Sequence, residues 1–252
     1  MEPLRPRVPE PETVRPPATP PAEWRWPAIH PEGIRFGGLF GLGAVLAFAL
    51  GWTLLAWPLV AATAFTFLFF RDPVRVSPVG DDILVAPADG LVSQIKEVPI
   101  PPQLAGEGGL TGARAVRVSI FLSVFDVHIN RTPTAGRVAR LTYVPGKFLN
   151  ANLDKASEDN ERQYLLIETA DGTRVGVVQI AGLIARRILT FVSEGETLLS
   201  GERFGLIRFG SRTDLYVPEG YVLQIGKGQR AIGGETVIAR RGVPPVETGP
   251  RQ

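Results

Sequence analysis

At 252 residues, 44% of them hydrophobic, the chain is long enough to bury one substantial core. It contains no cysteine and only two histidines, which excludes disulfides, a cysteine nucleophile, thiolate metal ligands and a multi-histidine metal cluster. A formal net charge of +2 gives no electrostatic footprint for nucleic acid, and no nucleic-acid partner is expected.

Residues 1–33 read as a proline-rich disordered tail: ten of the 23 prolines fall in residues 1–31, where few aliphatic side chains could anchor a helix or sheet. Residues 34–70 follow as a candidate membrane anchor, and residues 36–70 carry no charged side chain. A bilayer core about 30 Å thick takes about 20 helical residues, so this run is too long for one span and short for two. Gly51 lies near its middle and Pro58 interrupts its second half, so a helical hairpin that crosses or dips into the bilayer is expected. Arg25 and Arg35 flank one end and Arg71 and Arg75 the other, which favours both ends in the cytoplasm. A cleaved secretory signal is the competing reading of "VAATA", but the apolar run starts far from the N-terminus and continues through "FTFLFF".

Residues 71–252 form the second region, short runs of Val, Ile, Leu and Thr broken by glycine turns. "ILVAPADGLVSQI" reads as strand, Asp89-Gly90 turn, strand; "VRVSIFLSVFDVHI" as one long strand; "YLLIETADGTRVGVVQI" as a second Asp-Gly hairpin; "YVLQIGKGQRAIGGETVIA" as a closing strand pair. "FLNANLDKASEDNERQ" is polar enough to be a loop or a short surface helix. The fold class is therefore mainly β (α+β), a barrel- or sandwich-like catalytic domain of short strands preceded by an N-terminal hydrophobic helical anchor.

Three polar residues end apolar runs: Asp89, His128 and Ser211. Taken singly, each has an ordinary explanation as a turn residue or a hydrogen-bonded core histidine. Taken together they are the set that activates a hydroxyl, with histidine as base and a carboxylate to orient it. His30 lies in the tail, so histidine chemistry falls to His128. The G-x-S-x-G elbow of an α/β-hydrolase is absent around Ser211, but a carbonyl lies within reach of the hydroxyl, that of Gly210. Attack there converts the amide to an ester, and elimination across the ester would cut the chain and leave a pyruvoyl group at position 211.

The motifs "FFRDPVR", "APADG", "FDVHINRTP", "PGKFLNANLDKASEDNER", "IAGLIARRI" and "IRFGSRTDLYVP", in this order between about residues 69 and 239, resemble those of the phosphatidylserine decarboxylase proenzymes in their short membrane-bound form. The resemblance implies cleavage between Gly210 and Ser211 into a β chain of residues 1–210 and an α chain of residues 211–252. It implies that Ser211 is the nucleophile and becomes the pyruvoyl cofactor that forms a Schiff base with the lipid amine. His128 would be base in maturation and proton donor in turnover, and Asp89 would orient it. Lys147, Arg186 and Arg187 are candidates to bind the substrate phosphate. The implied reaction converts phosphatidylserine in the membrane to phosphatidylethanolamine and CO2, without a metal, at the cytoplasmic face of the cell membrane. Longer bacterial members read Leu-Gly-Ser-Thr at the cut, whereas here Phe209 precedes and Arg212 follows, and an archaetidylserine-like lipid is the alternative substrate. A homo-oligomer is left open. The rival readings are a membrane-tethered serine hydrolase and a β-barrel phosphocarrier module.

Overall fold

The computed structural model describes residues 26–146, 160–182, 187–208 and 211–244. Strand β1 (Ala28–Ile29) precedes helices α1 (Pro31–Ala49) and α2 (Thr53–Phe69), and β2 (Arg71–Asp72) returns to pair with β1. The two helices pack against each other as a hairpin. Small residues on α1 let the partner close in: a Cβ on Gly33 would meet Phe70 at 2.5 Å, and one on Gly37 would meet Phe67 at 2.4 Å. Gly51 makes the turn with φ of +75°, while Pro58 sits inside α2 without ending it. α1 is long and apolar enough to cross a membrane by length and composition.

The first helix begins inside the stretch read as tail. Pro31 supplies its first turn, and His30 caps it by accepting the Glu32 N–H at Nδ1 (3.3 Å). The His30 ring stacks on Phe191, with centroids 5.3 Å apart.

Beyond the hairpin run β3 (Ile83–Val85), β4 (Gly90–Pro99), β5 (Arg114–Leu122), β6 (Ile129–Arg131), β7 (Gly136–Val144), β8 (Arg162–Glu168) and β9 (Arg174–Ala181). They are followed by β10 (Ile188–Thr190), β11 (Thr197–Leu198), β12 (Arg203–Ile207), β13 (Ser211–Val217), β14 (Tyr221–Leu223), β15 (Arg230–Ala231) and β16 (Val237–Arg241). The fold is mainly β, as composition and turn spacing led one to expect. Eight strands in the order β11-β7-β8-β9-β13-β5-β4-β15 form one curled antiparallel sheet, flanked by three-stranded sheets β10-β12-β6 and β14-β16-β3.

The concave face of the large sheet holds the main core, with Val118, Ile120, Val177, Leu215 and Val217 buried against Leu84 and Ile238 of the β14-β16-β3 sheet. Its other face is covered by Ile100, Leu104 and Leu110. A separate cluster, Phe69, Phe70, Val127, Ile129 and Leu206, joins the foot of the hairpin to β6 and β12.

Two strand readings change. The run expected as one long strand breaks after Leu122: residues 123–126 turn, with the Ser123 N–H donating to Asp126 Oδ2 (2.8 Å), and the chain re-enters as β6 in another sheet. Asp89-Gly90 is not a hairpin either. β3 pairs with β16 while β4 pairs with β5, so this pair turns the corner between two sheets. By contrast, the second Asp-Gly sequence joins β8 to β9 as a true hairpin, closed by Thr169 and Thr173.

Candidate active site

Register places the three polar residues at one end of the eight-stranded sheet. Ser211 opens β13 opposite Leu122, the last residue of β5, and opposite Ala181, the last of β9. Gly90 opens β4 beside the same end of β5, where Leu91 pairs with Phe121. His128 follows β5 by six residues, and its carbonyl accepts the Ile207 N–H (3.2 Å), four residues before Ser211. Four residues span at most about 14 Å, so the hydroxyl and the imidazole are kept in one neighbourhood by the chain itself.

Strand alternation turns Ser211 and Thr213 toward the concave face, and Arg212 and Asp214 away from it. Beside the hydroxyl lies a buried polar set: Asn130 Nδ2 donates to Thr213 Oγ1 (3.1 Å), and Gln179 Nε2 donates to Asn130 Oδ1 (2.7 Å). Ser211 is 0% exposed, and its Oγ has no hydrogen-bond partner among the described residues. A buried hydroxyl so left costs about 1–3 kcal/mol, and natural cores hold few of them. On the opposite face Arg212 is held by Asp214 in a buried pair (2.9 Å), which locks the start of β13 in place.

His128 is fully buried, with its ring stacked on Phe69 at 4.0 Å between centroids. Nδ1 lies 2.9 Å from the Asp126 carbonyl. A carbonyl only accepts, so Nδ1 carries the proton and Nε2 the lone pair. Burial lowers the pKa of the ring to about 4, against the opposing pull of the Asp126 carbonyl and charge. The residue is therefore a neutral base with its tautomer already chosen.

The Asp89 carboxylate makes its bonds elsewhere: Oδ2 accepts from Arg75 (2.7 Å) and Oδ1 from the Gly233 N–H (2.7 Å). Burial raises its pKa, with Arg75 opposing. The ring nitrogen that a triad acid would hold is taken by the Asp126 backbone. Asp126 itself also pairs with Arg230, so residues from the far end of the sequence close this side of the site. Of the phosphate candidates, Arg187 is exposed, and its carbonyl accepts the Arg208 N–H (3.2 Å). Lys147 and Arg186, like Gly210, lie outside the described residues.

A buried serine and a buried histidine brought to one end of the large sheet, the histidine against the foot of the helical hairpin, are residue types that can serve as nucleophile and base. Comparison narrows the class. The family model described as phosphatidylserine decarboxylase matches residues 62–239. The phosphatidylserine decarboxylase proenzyme of Erythrobacter litoralis is 54% identical over 226 residues, covering 88% of this chain and 91% of that one. The proenzymes of that name from Novosphingobium aromaticivorans and Zymomonas mobilis are each 52% identical, covering 90% and 87% of this chain and 92% and 89% of theirs. The chain belongs to the phosphatidylserine decarboxylase family, and the enzyme class is that of a carboxy-lyase.

Proposed function

We propose that the chain cuts itself between Gly210 and Ser211, and that the product decarboxylates phosphatidylserine at a membrane surface as a step in making phosphatidylethanolamine. The observation that carries this reading is the buried, unpartnered Ser211 hydroxyl at the sheet end that also holds a neutral His128. His128 Nε2 takes the hydroxyl proton, Oγ attacks the Gly210 carbonyl carbon, and the peptide C–N bond breaks to give an ester and a free amine at residue 211. Loss of the residue 211 α-proton then breaks Cβ–Oγ, and Gly210 leaves as a carboxylate. Water adds to the dehydroalanine that remains, and ammonia departs to leave a keto group.

A pyruvoyl group fits this position, because forming it removes the Ser211 Oγ, a buried side-chain atom that the described surroundings leave unbonded, along with the residue 211 nitrogen. The group supplies the electron sink that decarboxylation of an amino acid requires. Once CO2 has left, His128 returns a proton to the substrate α-carbon. Asp89, held by Arg75 and Gly233, acts on the charge balance of this end of the sheet rather than by gripping the imidazole.

The proposed lipid substrate gives the hairpin its use. Leu39, Leu42, Val45, Leu46 and Leu54 on its outside are exposed, which in water would leave a large apolar surface bare. A bilayer covers it and keeps the site at the headgroups, on the cytoplasmic side by the flanking arginines. Intact mass after denaturing electrophoresis tests the reading: the natural chain should give two fragments divided after Gly210, the smaller lacking a free amine, and Ser211→Ala a single full-length chain. A single species in active natural protein would overturn it.

A further inference from the structure

The chain leading into Ser211 is tied to the foot of the hairpin. Arg208, three residues before Ser211, pairs with Glu32 in the first turn of α1, 176 positions away in sequence. The two side chains are only 18% and 14% exposed. The same guanidinium lies over the Phe36 ring, 5.4 Å from its centroid, so Glu32 and Phe36, one helical turn apart, hold it from two sides. That turn of α1 is itself fixed, since Phe36 stacks on Phe70 at 6.2 Å and Gly33 seats against Phe70. From the foot of α2, Phe69 stacks on the His128 ring. One element thus touches both the base and the chain that precedes the nucleophile.

Three residues span at most about 11 Å, so fixing Arg208 restricts where the backbone can enter Ser211. An attack on a backbone carbonyl needs the reacting atoms about 3–3.5 Å apart, and a misplacement of about 1 Å can cost on the order of 100-fold in rate. We propose that Glu32 and Arg208 are positioning residues for self-cleavage, and that the hairpin is therefore part of the maturation machinery as well as an anchor. The inference rests on the reading of Gly210–Ser211 as the bond that is cut. It also separates two activities. After the cut, Arg208 belongs to a chain end that is no longer joined to residue 211, so its placement ceases to constrain the active group.

The full chain is made by cell-free synthesis into vesicles of phosphatidylethanolamine and phosphatidylglycerol, and its cutting is followed by pulse-chase on denaturing gels, with Ser211→Ala as the uncut reference. Glu32→Gln and Arg208→Ala should each slow cutting about tenfold or more, and the charge exchange Glu32→Arg with Arg208→Glu should return the rate to within about threefold. Decarboxylation of phosphatidylserine per cut chain should stay within about twofold in Glu32→Gln, which a general folding defect would not allow. Where Arg208→Ala fails to fold, Arg208→Lys keeps the charge but not the planar fork, and should cut at an intermediate rate. Single variants that cut as fast as the natural chain, or an exchange that restores nothing, would overturn the inference while leaving self-cleavage standing. A natural chain that never gives two fragments would overturn both.

Discussion

His128 has no exposed surface and stacks on Phe69, and this burial favours the neutral ring more strongly than the Nδ1–H bond to the Asp126 carbonyl favours the charged one. Its pKa falls from an ordinary 6.5 to about 4. Between these values the unfolded chain binds a proton that the folded chain refuses. Stability from this residue is therefore fully present above pH 6.5 and is lost as pH falls toward about 4. His128→Gln removes the titration while keeping a side chain that can bond the Asp126 carbonyl. With Ser211→Ala in both so that neither is cut, urea unfolding at pH 7 and pH 5 should show the chain that keeps His128 losing on the order of 1–2 kcal/mol more than the Gln variant between the two, since His30 titrates in both. Equal losses would mean that the ring is not held neutral. Ser211 and His128 stood out in the sequence because their side chains are of types that do chemistry, and the fold buries both. The Asp126 carbonyl was not, because every residue carries a backbone acceptor and none advertises which one will be used.

Elements deliver these side chains through two breaks in regular structure, and the breaks were the less legible part. The apolar run through Val127 carries no glycine or proline, so periodicity alone continues β5 past its end; what stops it is a side-chain bond from Asp126 to the Ser123 N–H. Asp89-Gly90 has the composition of a hairpin turn but serves as a corner, a distinction that depends on which strands pair far away in sequence. Gly51 was legible because a turn inside an otherwise uniform apolar run leaves glycine as its only mark. The corner makes its own demand at Gly90, where φ is +151° and a Cβ would lie 2.2 Å from the Phe121 carbonyl oxygen. Neither the backbone angle nor the contact can be met by alanine without moving β4 from β5. Gly90→Ala should cost about 2–4 kcal/mol in chemical denaturation and displace Asp89 from Arg75. A variant of natural stability would mean that the corner is softer than this geometry requires.

At the scale of the whole molecule the hairpin and the sheets are one construction. β1 pairs with β2 across the hairpin foot, and Asp72, just beyond the second helix, is gripped by Arg131 (3.3 Å) and Arg203 (2.7 Å) from β6 and β12. The foot therefore cannot rise or sink without carrying the site with it. The 19 residues of α1 make about 28 Å of helix at 1.5 Å per residue, enough to carry the turn at Gly51 across the hydrocarbon and bring both helix ends back to one side. On the proposed reading, depth in the bilayer then sets the height of Ser211 above the headgroups. Leu39 and Leu42, exposed near the middle of α1, would face acyl chains. Arginine at a helix centre costs about 2.5–3.5 kcal/mol on an insertion scale, so replacing both leucines by arginine should undo membrane retention without touching any residue of the site. The natural chain should stay with carbonate-washed membranes, and the double variant should move to the soluble or aggregated fraction. Retention of the double variant would mean that something other than this hairpin holds the protein to the lipid.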